Sequence, residues 1–249
     1  LQQALFHRQA KGLVLTENGQ LLIGPARRMQ AALNEIELTA AGRQTQIEGN
    51  VRITASVMFS VYILPPVIAD LREKEPGITI DLVATDSSEN LLFREADVAL
   101  RMYRPQQLEL VARHLGDLKL GMFAARSYLD RAGRPETVRD LLDHPLIGYD
   151  RNEDIIRGMQ ERGWSATRDW FALRCDNHAV NWELVRAGCG IGFGQVALAR
   201  RDPSVEQVML DLNLPSLPIW LATHQALRQT PRIARVWDAL AEGLVPNLS

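Results

Sequence analysis

Asn50-Val51-Arg52-Ile53-Thr54-Ala55-Ser56-Val57-Met58-Phe59-Ser60 is the stretch that decides the fold. From Val51 to Ala55 apolar and polar side chains alternate, as in a half-buried strand, and the alternation stops at Ser56. Val67, Ile68 and Leu71 then recur at helical spacing, and Ile78-Thr79-Ile80-Asp81-Leu82-Val83 reads as a strand again. Together these make a βαβ unit. Ser56 to Ser60 lie at the carboxyl end of its first strand, where ligands of open α/β sheets sit and free helix N–H groups favour an anion. Two readings of the segment stand: a ligand site, or Met58 and Phe59 in the core with Ser60 as a helix cap.

Downstream, residues 88–95 read as a helix and Asp97-Val98-Ala99-Leu100-Arg101 as a third strand, so Arg101-Met102-Tyr103 falls at the same sheet edge as Ser56. Arg101 is either half of a surface ion pair or a bidentate partner for a carboxylate. Residues 110–115 and 118–124 read as two strands joined at Gly116-Asp117. Past Arg126 the texture changes to loops and short helices, and a second lobe begins. Its strands at 146–149 and 171–175, the polar run Asp176-Asn177-His178 and a helix over 179–186 repeat the device of the first lobe. Gly188, Gly190, Gly192 and Gly194 follow a helix and enter a strand, the reverse of the order a dinucleotide motif requires, so they mark a tight turn with close backbone approach. Residues 205–212 and 218–223 are the last strands. Thr230-Pro231 then caps a helix with Ile233, Val236, Trp237, Leu240 and Leu244 on one face, expected to pack on the first lobe.

Upstream, Lys11-Gly12 is a turn, Leu13-Val14-Leu15 a short strand, and Thr16 an N-cap with Glu17 in the first helical turn. Leu22, Ala26, Met29, Leu33, Ile36 and Ala40 form a heptad stripe, too narrow for a globular surface helix. It predicts a helix over 17–42 that pairs with a second copy, or else one that packs on its own chain, with a local kink at Pro25. Apolar residues make up 46% and charged residues 23% of the 249, the balance of an ordinary soluble globular protein. No stretch is apolar enough for a membrane span or signal peptide, so a cytoplasmic location without membrane contact is expected. The net charge of −2 gives no support to a surface that attracts nucleic acid as a whole, although residues 1–46 carry a slight basic excess. Cys175 and Cys189 fit neither a zinc site nor a disulfide scaffold and read as free buried thiols. No metal or cofactor is expected, and no catalytic residue: His114, His144, His178 and His224 stand in neither HExxH nor GxSxG spacing.

Four places carry a family resemblance: Leu5-Phe6-His7-Arg8 with Leu15-Thr16-Glu17-Asn18-Gly19; Gly49-Asn50-Val51-Arg52-Ile53 leading to Leu64-Pro65-Pro66; Asp97-Val98-Ala99-Leu100-Arg101 with Leu110-Val111-Ala112-Arg113-His114-Leu115-Gly116; and Val185-Arg186-Ala187-Gly188-Cys189-Gly190-Ile191-Gly192. In this order and spacing they resemble a LysR-type transcriptional regulator lacking most of its winged helix-turn-helix. The resemblance covers essentially the whole chain. It implies an α/β fold: a two-lobed effector domain like the type II periplasmic binding proteins, preceded by a long linker helix. On that plan residues 1–16 are a remnant of the wing, 17–46 the dimerising linker helix and hinge, and 47–249 the effector domain. Lobe I takes about 47–124 and 222–249, and lobe II about 125–221.

The function the resemblance implies is that of a ligand-responsive regulator, binding a small organic effector between its lobes and, as the full-length protein, promoter DNA. It would assemble as a homodimer or homotetramer. Matching by register to Leu64-Pro65 puts the family's effector-contacting positions at Ser56, Met58 and Phe59, two of them apolar, which favours an organic effector over a small inorganic anion. Arg101 and Met102, with Asn177 and His178 from the second lobe, complete the expected ligand set. An effector carboxylate would face Arg101 or the helix start at Ser56. His7, Arg8 and Lys11 are the expected remaining DNA-contacting residues, facing phosphate, so the segment alone should read no base sequence. The alternatives are a two-lobed solute-binding protein, against which the heptad helix and the missing export signal speak, and an enzyme on the same architecture.

Overall fold

The computed structural model describes residues 4–9, 12–41, 46–86, 96–105, 109–212 and 214–248. An antiparallel hairpin comes first, β1 (Phe6–Gln9) and β2 (Gly12–Leu15), with Phe6 opposite Leu15. Thr16 Oγ1 accepts from Gly19 N at 3.0 Å and donates to the Ala4 carbonyl at 2.9 Å, so one hydroxyl both caps α1 (Glu17–Ala41) and ties it to the hairpin. α1 is continuous through Pro25. Residues 42–45 of the hinge expected over 41–46, and the helix expected over 88–95, lie outside the described residues.

β3 (Gly49–Ala55), α2 (Val57–Tyr62), α3 (Leu64–Lys74) and β4 (Ile78–Ala84) form the βαβ unit, with β3 and β4 parallel from Gly49 opposite Ile78 to Ala55 opposite Ala84. The crossover is two helices because Pro65 and Pro66, which lack a donor, start a new helix rather than continue one. Ser60 is not the cap: it lies inside α2, and Ser56 caps the helix. β5 (Val98–Arg101) runs parallel to β3 on its other side. β6 (Leu110–Leu118) passes straight through the turn expected at Gly116-Asp117. Gly116, at φ +149°, lies instead where pairing to a later strand shifts register between Ile219 and Trp220.

The chain leaves this sheet at Lys119. The second lobe holds β7 (Leu120–Ala125), α4 (Arg126–Ala132), α5 (Val138–Leu141), β8 (Leu146–Gly148), α6 (Asp154–Gln160), β9 (Phe171–Arg174), α7 (His178–Arg186), β10 (Gly192–Gln195), α8 (Val196–Ala199) and β11 (Val205–Val208). β7 lies between β10 and β11, antiparallel to both, and β8 runs parallel to β9. β11 stops short of the expected Leu212, because Met209 takes a left-handed conformation at φ 54°. The chain returns in β12 (Leu217–His224), inserted antiparallel between β5 and β6 to give the order β4-β3-β5-β12-β6. The lobe crossings expected at 124/125 and 221/222 therefore fall inside β7 and β12. Each strand's lobe is settled by its pairing partners, which are distant in sequence.

α9 (Gln225–Arg228) and α10 (Pro231–Leu244) end the first lobe. Pro231 opens α10 as expected, but Thr230 makes no capping bond and its hydroxyl is buried without a partner among the described residues. Ile233, Val236, Trp237, Leu240 and Leu244 are buried in one cluster with Val51, Ile53, Val67 and Leu71. At about 1.5–3 kcal/mol for each fully buried side chain of this size, that stripe anchors the chain's end to the βαβ unit. In the second lobe Met122, Leu129, Leu141, Phe171 and Ile191 form a separate cluster. The glycine run has two close approaches: a Cβ on Gly190 would strike the Pro145 carbonyl, and one on Gly194 would lie 2.5 Å from the Trp182 ring. Both thiols are free, but neither is fully buried; Cys175 is half-buried and Cys189 exposed on the turn after α7. Among the described residues, no helix is long and apolar enough to cross a membrane.

Candidate functional site

At the start of α2 two of the helix amides are already held by side chains. Ser56 Oγ accepts from Phe59 N at 3.4 Å, and Val57 N donates to Asp86 Oδ1 at 3.1 Å. Asp86 arrives there because the parallel pairing of β3 with β4 continues one step, Thr85 N donating to the Ala55 carbonyl at 2.9 Å. The chain thus supplies its own carboxylate where an effector anion was expected. Met58 and Phe59 do not form an open apolar wall either. Phe59 is 1% exposed and belongs to the first lobe's core, and Met58 is buried among second-lobe side chains. Met102, half-buried, also packs on the first lobe's core.

Arg101 is not a surface ion pair. It is 7% exposed, with Nη1 donating to the Leu100 carbonyl at 2.9 Å and Nη2 to Thr54 Oγ1 at 3.1 Å. Its Nε is buried with no partner, and no carboxylate stands within ion-pair distance among the described residues. Burial lowers its pKa from the ordinary value, against the opposing pull of Tyr103 and Asp86. The Nε is a buried donor with no acceptor among the described residues, although Tyr103 also engages the guanidinium through its side chain.

In the second lobe, Asp176 and Asn177 act on their own backbone. Asp176 Oδ1 accepts from the amides of Asp150, Arg151 and Asn152 at 2.9, 3.0 and 3.2 Å, and these bonds hold its carboxyl below its ordinary pKa. Asn177 Oδ1 accepts from Ala179 N and Val180 N at 3.0 and 3.1 Å and caps α7. Asn181 donates to the carbonyls of Gly148 at 3.2 Å and Cys175 at 2.8 Å, joining the carboxyl ends of β8 and β9. His178 stacks on Tyr149, with ring centroids 4.9 Å apart and planes at 10°. Burial pushes the Tyr149 phenol up to about 12, and the charges of Asp154, Asp86 and Asp176 add to the shift.

The lobes touch through α2 and α7. Tyr62 Oη donates to Glu183 Oε1 at 2.6 Å, and Met58 packs with Phe123, Ile147, Trp182, Val185 and Val205. The carboxyl edges of β3, β4 and β5 thereby face those of β8 and β9, and Asp86 acts electrostatically on both Arg101 and Tyr149. Of the seven expected ligand residues, Ser56, Arg101, Asn177 and His178 stand at these edges. Asp86, Tyr149 and Thr54 were missed. Asp86 and Tyr149 each follow a strand's carboxyl end, so the rule that singled out Ser56 would have found them had it been applied to every strand. Among the proposed DNA-facing residues, His7 and Arg8 are exposed on β1, and Lys11 lies outside the described residues. No group of three or more His, Cys, Asp or Glu side chains is placed to hold a metal among the described residues.

Two α/β lobes meeting edge to edge, with a buried cation, a carboxylate and an aromatic pair at the junction, define a two-lobed ligand-binding domain of the type II periplasmic-binding kind. The family described as LysR substrate binding domain matches residues 44–245, and the chain belongs to it. The HTH-type transcriptional regulator CrgA of Neisseria meningitidis serogroup B is 30% identical over 200 residues, covering 78% of this chain and 64% of that protein. The HTH-type transcriptional activator AaeR of Escherichia coli K12 is 30% identical over 204 residues, covering 78% of this chain and 63% of that protein. The chain thus spans less than two thirds of the length of either. In fold, solved CrgA matches with a TM-score of 0.71 at 22% identity, over 97% of this chain and 84% of that one. Vibrio cholerae AphB matches with a TM-score of 0.71 at 22% identity, over 96% of this chain and 83% of that one.

Proposed function

We propose that this chain is the effector-sensing and self-pairing part of a cytoplasmic LysR-type transcriptional regulator. It performs no chemistry: a small organic effector bound between the lobes biases their arrangement, and the full-length protein relays that bias to promoter DNA. The observation that carries the reading is Arg101, a buried guanidinium at the edge where the lobes meet, whose Nε has no partner among the described residues. The stripe on α1 supports self-pairing, since Met29, Leu33 and Ile36 are 75%, 53% and 68% exposed in the single chain. An effector shifts promoter affinity only by its preference for one arrangement, typically about 5- to 150-fold. Native mass spectrometry of the purified chain should show a retained small molecule. Adding that molecule to the full-length protein should change promoter affinity within this range, and an unchanged affinity would refute the reading.

A further inference from the structure

Most polar groups at the lobe junction are consumed by the chain's own backbone. Ser56 and Asn177 cap helices, Asp176 gathers three loop amides, and Val57 N is held by Asp86. Besides Asn181 Oδ1 and Ser60 Oγ, which have no partner among the described residues, the junction offers two charged poles. One is the guanidinium of Arg101, with its orphaned, buried Nε. The other is Asp86, exposed at the end of β4 and bonded through one oxygen to Val57 N. Beside them stands the Tyr149–His178 stack, whose phenol is kept protonated by burial and by surrounding carboxylates, Asp86 among them.

These poles discriminate between ligands. A simple carboxylate with an apolar tail satisfies Arg101 but is repelled by Asp86. An amine satisfies Asp86 and is repelled by Arg101. A molecule carrying both groups meets both, each contact being a charge-assisted hydrogen bond. We propose that the junction takes a bipolar aromatic ligand of amino-acid type, its carboxylate on Arg101, its ammonium on Asp86 and its ring along the Tyr149–His178 stack. This rests on the reading that the effector lies between the lobes. It differs from an acid-only effector in making Asp86 the residue that sets ligand class.

Three probes share one skeleton and separate the poles: L-phenylalanine, 3-phenylpropanoate, which lacks the amine, and 2-phenylethylamine, which lacks the carboxylate. Calorimetry on the whole chain should show L-phenylalanine binding at least about tenfold more tightly than either of the others, one charge-assisted bond being worth about that factor or more. Asp86→Asn keeps an acceptor for Val57 N and removes the charge. It should weaken L-phenylalanine about tenfold and leave 3-phenylpropanoate unchanged or tighter, whereas Asp86→Glu should retain the preference. Equal affinity of L-phenylalanine and 3-phenylpropanoate, an Asp86→Asn variant that binds L-phenylalanine as the parent does, or binding of none of the three would overturn the proposal. Arg101→Ala separates the two levels. If L-phenylalanine and 3-phenylpropanoate bind equally, Arg101→Ala abolishes both and Asp86→Asn changes neither, the bipolar class is wrong and the interlobe site stands. If the probes bind and Arg101→Ala changes none of them, both are refuted.

Discussion

Replacing Arg101 by Met should stabilise the domain while removing ligand binding. The side chain is 7% exposed, without a carboxylate partner among the described residues. The penalty for burying an ion in a protein remains several kcal/mol after relaxation. Against it stand the hydrogen bonds to the Leu100 carbonyl and to Thr54 Oγ1, each contributing about 1.5–3 kcal/mol when the donor is charged, and the exposed Tyr103 hydroxyl, which water screens. The Leu100 bond joins neighbouring residues, so it adds no tertiary constraint. Methionine fills a comparable volume and adapts to irregular space, which leaves a net gain of about 1 to 2 kcal/mol. For a chain of this size that is roughly 2 to 8 °C in Tm. Differential scanning calorimetry of Arg101→Met beside the parent, both without ligand, measures it directly. A drop of 2 °C or more would refute the reasoning, because it would make Arg101 a structural residue whose bonds outweigh its burial.

The remaining expectations concern the joints around the site. Tyr62→Phe removes the bond to Glu183 and should lower stability by about 1 kcal/mol, read from urea unfolding. The Tyr62 hydroxyl holds Glu183 below its ordinary value of 4.5, so this contribution is full above that value and lost as pH falls through the lower folded value; Tyr62→Phe should flatten that loss. Asn181→Ala leaves the Gly148 and Cys175 carbonyls without their side-chain donor, and denaturant melts should show a loss of about 1–3 kcal/mol. Leu33→Asp puts a charge into the exposed stripe of α1. Sedimentation should show smaller species with unchanged far-ultraviolet circular dichroism, and an unchanged oligomer would mean that other surfaces hold the assembly.

Local periodicity made the elements legible in the sequence. The alternation from Val51 to Ala55, the capping hydroxyl of Thr16 and the stripe from Ile233 to Leu244 each involve residues a few positions apart, so backbone geometry alone turns them into a strand, a cap and a buried face. The order of these elements, with their motifs, carried the family as well. Periodicity says which side of an element is apolar but not what covers it. Met58 and Phe59, next to each other, end in different clusters, and β7 and β12 join the sheets opposite to those expected. The site itself was decided by distance in space. Whether Arg101 meets a carboxylate, and whether the amide at the start of α2 is free or held by Asp86, depends on side chains many residues away. Electrostatic and hydrogen-bonding energies fall off over a few ångströms, so only the tertiary structure determines which groups are already paired and which remain for a ligand.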